Sequence, residues 1–384
     1  MLGSAATIVG TVVSDCGTSR RAGLLAVLWL ALFPGSALGA TAHVEGLGVP
    51  DRRTLIYVAS PGEANQLEIA LDVDTATATI HDSGAAITAG AGCVSVTANE
   101  VTCHPVDYQV SITLADGADV FELTQGGLEL DVDGGTGNDE MTACDDCSAH
   151  FDGHRGNDVL TGTHALLNGG AGDDVLTSVF GGVIGAGGDD ILSANTFHLW
   201  GGGGDDQITG GDGSNHIVAG SGNDTVAAGG GDDFVSPGLG SNTVDGGPGR
   251  DLISYWDVRT PIMVDLEAGR ASHLGDEDLL MSVEDARGSP LGDRLMGDSQ
   301  DNALWGGGGA DELRGGDGSD QLWGNGRDDL LVGGAGADRL HGSAGDDRLK
   351  ARDGTRDLVA GGAGHDAARV DRALDRIRSV ERFF

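Results

Sequence analysis

"GGGGDDQITGGDGSNHIV", residues 201–218, is two nine-residue blocks that share glycine at positions 1, 2 and 4, Asp or Asn at position 6 and an aliphatic residue at position 8. Six such blocks run without a gap over residues 201–254 and eight more over 288–359, and a further block, "GGAGHDAAR", starts at Gly361, one residue out of phase. A fixed short period is the signature of a solenoid, in which each turn adds one layer to a stack. Upstream, "GHRGNDVLT", "GGAGDDVLT" and "GAGGDDILS" begin at residues 153, 169 and 185, a step of 16 that leads into the block at 201. Each is followed by seven residues without Asp or Glu, which predicts a turn of 16 with an acidic loop on one edge only. From Gly201 the turn lengthens to 18 and both edges carry such loops.

Position 8 is Leu160, Leu176, Leu192, Ile208, Ile217, Val226, Val235, Val244 and Ile253, then leucine in every block from Leu295 to Leu358. One inward aliphatic between two outward residues predicts a three-residue strand, parallel to its copies in the next turns, with positions 1 to 6 forming the bend. On this arrangement Asp158, Asp174, Asp190, Asp206, Asp224 and Asn242 share one edge, and Asn215, Asp233 and Asp251 share the other. Asp139, Asp293, Asn302, Asp311, Asp320, Asp329, Asp338, Asp347 and Asp366 complete the position-6 set, while Arg356 occupies that position in the block 351–359.

Stacking places successive position-6 carboxylates about 4.8 Å apart, the spacing of paired strands. At an effective dielectric of 20 each unscreened pair repels by about 3–4 kcal/mol. Burying two aliphatics per 18-residue turn returns only about 3–6 kcal/mol, less than the entropy of ordering the turn. The array is therefore expected to need a cation. Carboxylates and main-chain carbonyls suit Ca²⁺, which accepts six to eight oxygens in irregular geometry; Mg²⁺ demands a small octahedron, and Zn²⁺ prefers the nitrogen and sulfur these loops lack.

The blocks resemble the RTX, or haemolysin-type, calcium-binding nonapeptide GGxGxDxUx. The resemblance covers about half of the chain and implies parallel β-rolls that bind several Ca²⁺ ions between loops and fold on meeting extracellular calcium. Residues 254–288, with "SYWD", "VDLEAG" and "SVEDARGS" in that order, look like the interruption usual between such arrays. Asn215, Asn242 and Asn302 depart from the Asp of the motif and imply weaker sites, and Arg356 implies the end of binding on its edge. Many family members leave the cell by a C-terminal signal, whereas this chain has the order of an N-terminal one: Arg20 and Arg21, an apolar run over 22–33, then small residues up to a cleavage position after Gly39 or Ala40.

Composition agrees with that frame. Lys+Arg 22 against Asp+Glu 60 leaves a formal charge of −38, which repels nucleic acid and anionic lipid and invites cations. Arg155 is the single basic residue between Arg53 and Arg250. Apart from the signal, no segment is suited to insertion in a membrane. In an exported chain cysteines pair by default: Cys93 and Cys103 flank the alternating "VSVTANEVT", and Cys144 and Cys147 form a local "CDDC". Residues 41–133 alternate as short strands, a β-rich N-terminal domain ahead of a first array (134–254), an interrupting loop (255–287) with one strand at "IMVDL", a second array (288–369) and a cap (370–384). In the cap, Val370, Leu374, Ile377 and Val380 recur at helical intervals, which fits a short amphipathic helix or a last irregular coil. Trp305, Trp323 and His341, each at position 9 and 18 residues apart, should form an outward column, either shielding the strand face or offering a glycan or cell-surface partner a place to stack. Neither HExxH nor GxSxG occurs, and paired acids such as Asp205 and Asp206 belong to the repeat. The expected protein is thus secreted, all-β and not an enzyme, binding Ca²⁺ itself or using the calcium-stabilised roll as an adhesin or matrix scaffold.

Overall fold

A computed structural model describes residues 40–46, 53–72, 75–104, 109–123, 129–195 and 197–384; the signal-peptide segment, residues 1–39, lies outside them. The described residues contain no helix. They form a parallel β-solenoid whose two sheets face each other across a core one side chain deep. In the second array one sheet stacks Leu304, Leu322, Leu340 and Val359 in register and the other stacks Leu295, Leu313, Leu331, Leu349 and Ala368, all fully buried. The inward position-8 residues are thus the core, and each gains its partners from the turns above and below. The change of turn length is observed directly: Leu167 pairs with Val183 and Leu199 with Ile217, shifts of 16 and 18 residues.

Gln207–Thr209, Thr225–Ala227, Phe234–Ser236, Thr243–Asp245 and Leu252–Ser254 have the three residues expected, whereas most strands of the second array are longer. Ala303–Gly308, Glu312–Asp317, Gln321–Gly326, Leu330–Ala335 and Arg339–Ala344 each cover positions 7 to 9 of one block and 1 to 3 of the next. Pairing resumes beyond a kink, as at Gly307↔Asn325, so the open turn shrinks to positions 4 to 6. The extra hydrogen bonds are available because a left-handed residue at position 2, such as Gly307 at φ 103°, redirects the strand without ending it.

The β-rich N-terminal segment joins the same stack. Arg53–Val58, Gln109–Thr113, Glu129–Asp133 and Ser148–Arg155 pair in parallel in one sheet, and Gln66–Asp72, Val120–Leu123, Glu140–Thr142 and Val159–Gly162 do so in the other. Leu55, Val110 and Leu130 continue one inner column, and Leu67, Phe121 and Met141 the other. Antiparallel strands, Ala40–Gly46 on Arg53–Val58 and Thr77–Asp82 on Gln66–Asp72 and Glu100–Cys103, finish this end. Both disulfides form: Cys93–Cys103 joins residues directly opposed on antiparallel strands, and Cys144–Cys147 closes a turn.

The interruption holds four strands where one was expected. Met263–Asp265, Arg270–His273 and Asp276–Met281 make an antiparallel meander whose last strand pairs in parallel with Thr243–Asp245 and whose first pairs in parallel with Arg294–Met296. The opposite sheet passes straight through, from Leu252–Ser254 to Asp285–Arg287 to Ala303–Gly308. The two arrays are therefore one stack. Of the two forms considered for the tail, the irregular coil is the one observed: Arg376–Arg378 and Arg382–Phe383 add to the last strand of each sheet. The open edge of the preceding turn supplies backbone partners along its whole length, and that outweighs a helical spacing of four side chains.

The phase slip before Gly361 lies one block earlier than the sequence pattern indicates. Leu340 pairs with Val359, which is fully buried, whereas Leu358 pairs with Arg339 and is only half-buried. An extra residue is absorbed in the exposed turn 352–356, so block 351–359 is read one residue late. Val359→Ala is expected to destabilise the calcium-saturated protein by about 1.5–3 kcal/mol in urea unfolding, and Leu358→Ala by under about 1 kcal/mol. The reverse order would restore the in-phase register.

Candidate metal centre

Position 6 is where the turn re-enters the strand, and there the backbone N–H of one turn meets the side chain of the next. Asp139 N–H donates to Asp158 Oδ1 at 2.8 Å, Asp158 to Asp174 at 2.7 Å, Asp174 to Asp190 at 2.8 Å, Asp190 to Asp206 at 2.9 Å, Asp206 to Asp224 at 2.9 Å and Asp224 to Asn242 at 2.9 Å. This ladder begins at Asn65 and Asp119 and ends on Asp278, which accepts from Asn242 at 2.8 Å. Across the roll, Asn215, Asp233 and Asp251 form a second ladder that meets Glu284 at 2.9 Å. Beyond the interruption it continues as Asn302, Asp320, Asp338 and Asp357, while Asp293, Asp311, Asp329, Asp347 and Asp366 resume the first. All the Asp and Asn residues named at position 6 from the sequence thus fall on two edges, and all are buried.

Asn65, Asp119, Asp278 and Asp357 belong to the ladders and were not named from the sequence. "ADGADVFEL" holds the signal for Asp119: Gly117, Asp119 and Phe121 stand at positions 4, 6 and 8 of a degenerate block. Asp357, not Arg356, accepts the Asp338 N–H at 2.9 Å, and Arg356 is exposed. The ladder therefore does not end at Arg356; the one-residue slip brings the next carboxylate into its place.

Oδ1 is satisfied; Oδ2 is not. In Asp139, Asp158, Asp174, Asp190, Asp206, Asp224, Asp233, Asp251, Asp311, Asp320, Asp329, Asp347, Asp357 and Asp366 the second carboxylate oxygen is buried with no hydrogen-bond partner. It points at position 1 of its own block. A Cβ placed on Gly324 would lie 2.2 Å from Asp329 Oδ2 and 2.8 Å from the Gly342 carbonyl oxygen of the next turn, and one on Gly185 would lie 2.2 Å from Asp190 Oδ2 and 2.6 Å from Gly201 O. Glycine predominates at position 1 because these oxygens crowd its space, although Ala219 and Ala228 occupy it beside Asp224 and Asp233. Position 4 is glycine for a second reason: at Gly204 and Gly222 φ is 133° and 137°, and the carbonyl oxygen of Gly204 lies 1.9 Å from where a Cβ of Gly222 would be.

Burial dominates the electrostatics. It pushes the carboxyls up to about 6 in Asp139, Asp206, Asp233, Asp251, Asp293 and Asp347, about 7 in Asp174, Asp190, Asp224, Asp311, Asp320 and Asp357, and about 8 in Asp329. The ladder hydrogen bond opposes this in each case, and for most of them neighbouring carboxylates add to it. Repulsion between stacked acids, which the sequence pattern emphasises, is thus secondary to the loss of water around each one.

A further ladder lies outside the first. The backbone N–H of Asp173 donates to Asn157 Oδ1 at 3.1 Å, Asp189 to Asp173 at 3.0 Å, Asp205 to Asp189 at 2.8 Å and Asn223 to Asp205 at 2.7 Å, all exposed. It runs in the opposite sense to the buried one, so each "DD" or "ND" pair clamps the turns on both sides. Elsewhere, His150 and His154 lie 3.3 and 3.2 Å from Asp131 and Asp133, and Cys144 and Cys147, nearby in sequence, are joined in a disulfide.

Among the described residues no three His, Cys, Asp or Glu side chains converge on one point. Oxygens reach each loop instead as one orphaned carboxylate atom per turn and the carbonyls packed against it. That donor set fits a hard divalent cation, with the position-6 carboxylates and turn carbonyls holding it. The protein is of the parallel β-roll class, built from stacked acidic turns. Its repeats match the family model for the RTX calcium-binding nonapeptide repeat over residues 166–181, 200–235, 236–254, 287–322 and 323–358, and these turns are repeats of that type. No curated protein matches it significantly.

Two outcomes follow from this geometry. Gly324→Ala, forced against Asp329 Oδ2, should lower the calcium-saturated melting temperature by several degrees, while Gly326→Ala, with nothing within 4 Å of its Cβ, should leave it nearly unchanged. In chelator the pH dependence should invert the usual acid denaturation. The ladder carboxyls titrate at about 6 to 8 when folded and near 4 when unfolded, so their contribution is fully present below pH ~4 and is lost as pH rises through 6 to 8. Urea midpoints that rise steadily from pH 5 to pH 8 without metal would contradict it.

Proposed function

We propose that this is a secreted, non-catalytic calcium-binding protein that folds when its turns take up the cation. The observation that carries the proposal is the row of buried carboxylate oxygens without partners that recurs along both edges of the stack. A buried unpaired acceptor costs about 1–3 kcal/mol, more when charged, and the cost recurs at every layer. Calcium when bound supplies positive charge and several open coordination positions at those oxygens. The chain's own part is to hold them: backbone N–H groups fix each Oδ1, glycine at position 1 leaves room for Oδ2, and the left-handed positions 2 and 4 turn carbonyls along the stack.

Export supports the same reading. Intracellular free calcium is too low to fill sites of the affinity usual for extracellular modules, so the chain would stay unfolded until it leaves the cell. The two disulfides suit an oxidising compartment. A scaffold role, in which the folded roll presents a binding face, is favoured by the half-buried outer stack of Trp305 and Trp323, with ring centroids 4.9 Å apart and planes within 1°, continued by His341.

Circular dichroism of the mature chain decides the folding claim. In chelator at pH 7.5 the spectrum should be that of a disordered chain, and a cooperative gain of β signal should appear at roughly 0.1–1 mM calcium. A compact, cooperatively melting protein in chelator at that pH, or equal folding by magnesium, would refute it.

A further inference from the structure

We propose that the groove between the interruption and the tryptophan stack binds a carboxylate-bearing polysaccharide. The cavity has a volume of 830 Å³, and its wall includes Trp256, Arg259, Arg287, Pro290, Trp305 and Asn325. Its charged lining residues are the two arginines; no Asp or Glu contributes, in a chain with 60 of them. The cleft on the opposite edge shows the contrast, since Asp276, Glu277, Asp293, Asp311 and Asp328 line it. Some other arginines of this region have acid partners, Arg250 lying 2.7 Å from Asp285 and Arg270 and Arg314 pairing with Glu277 and Glu312, whereas exposed Arg294 has none among the described residues. Arg259 and Arg287, both exposed, have no ion pair among the described residues.

The aromatic surfaces complete the fit. Trp256, half exposed, stands on the turn that leaves the first array. Trp305 is covered on one side by Trp323, and on the other side the neighbouring strand places Arg287 in the same column. The half-exposed indole of Trp256 can pack against the C–H face of a pyranose, while a guanidinium takes a carboxylate in a two-pronged hydrogen bond. Exposed Asn325, whose Nδ2 donates to Trp323 O at 3.4 Å, keeps its amide oxygen available to a hydroxyl. The stack runs on to Trp323 and His341 along the solenoid axis, so the surface continues past the groove as a chain of sugars would.

The proposal requires a folded roll and rests on the calcium reading only for that. Isothermal titration of the full mature chain in 2 mM calcium with hexagalacturonate, neutral cellohexaose and inorganic phosphate tests it, with dichroism recorded on each sample; these concentrations follow the roughly 0.1–1 mM affinity of extracellular calcium modules. Uronate should bind, the neutral hexasaccharide should bind at least about tenfold more weakly, and R259Q/R287Q and W256A should each cost about tenfold with unchanged dichroism. Absent uronate binding by folded protein, equal binding of the neutral sugar, or full affinity in R259Q/R287Q would overturn the proposal, the last by showing that calcium bridges uronate to the acidic edges. Phosphate binding without uronate binding would reduce the groove to a simple anion pocket and also overturn it. A roll already folded in chelator would refute the calcium reading instead, and the titration would stand unaffected.

Discussion

Each turn of the roll carries a carboxylate into a place without water, satisfies one of its oxygens with a backbone N–H from the adjacent turn, and leaves the other facing its own first glycine. The remaining architecture depends on that constraint. A carboxylate such as Asp329 is buried in this way beside Gly324, whose missing side chain leaves it room, in a turn narrow enough for Asp311 N–H to reach it at 2.8 Å; beside Asp224 and Asp233 the small Ala219 and Ala228 take that place. The same arrangement repeats 18 residues later at Asp347. The ladder thus couples layers more specifically than the aliphatic core, whose leucines would tolerate small slips.

The coupling also explains how one stack absorbs irregularities. At the interruption the first ladder stops at Asp278 and resumes at Asp293, which accepts from Ile262 N–H at 2.7 Å, so the meander supplies the donor that a regular turn would have given. Asp278 is held besides by the Tyr255 hydroxyl at 2.7 Å, and buried His273 lies 3.6 Å from it. At the N-terminal end Tyr57 and Asp82 form a similar contact, also at 2.7 Å, next to Asn65. Both places end a run of the ladder with a tyrosine–aspartate pair, where a lone acid would have no layer beyond it.

The asymmetry of charge has a structural meaning too. The acidic turns lie at the edges and in the exposed position-5 ladder, while the outer sheet face is free to carry aromatic and basic side chains. His198, Trp200, His216 and Phe234 form one such outer cluster, and Trp305, Trp323 and His341 form another. Metal binding and partner binding can therefore occupy different surfaces of the same turns without competing.

The period of nine, the inward aliphatic at position 8 and the acid at position 6 were legible by eye, because a solenoid repeats its local environment and so repeats its residues. That suffices for the fold class, for the change from 16 to 18 residues per turn, for the sharing of position-6 residues between two edges and for both disulfides. Where the repeat decays, tertiary contact decided. Asp119 and Asn65 join the ladder because neighbouring strands hold "ADGADVFEL" and residues 62–67 in register, although their glycines have mostly gone. Asp357 displaced Arg356 because a buried layer selects the residue that can accept a hydrogen bond from Asp338, and an exposed turn can hide one extra residue at little cost. The tail became strand because the last layer offered an open edge, a partner that no local pattern of apolar residues encodes. Burial of the acids themselves was equally invisible along the chain: a charged side chain reads as surface until the stack closes over it.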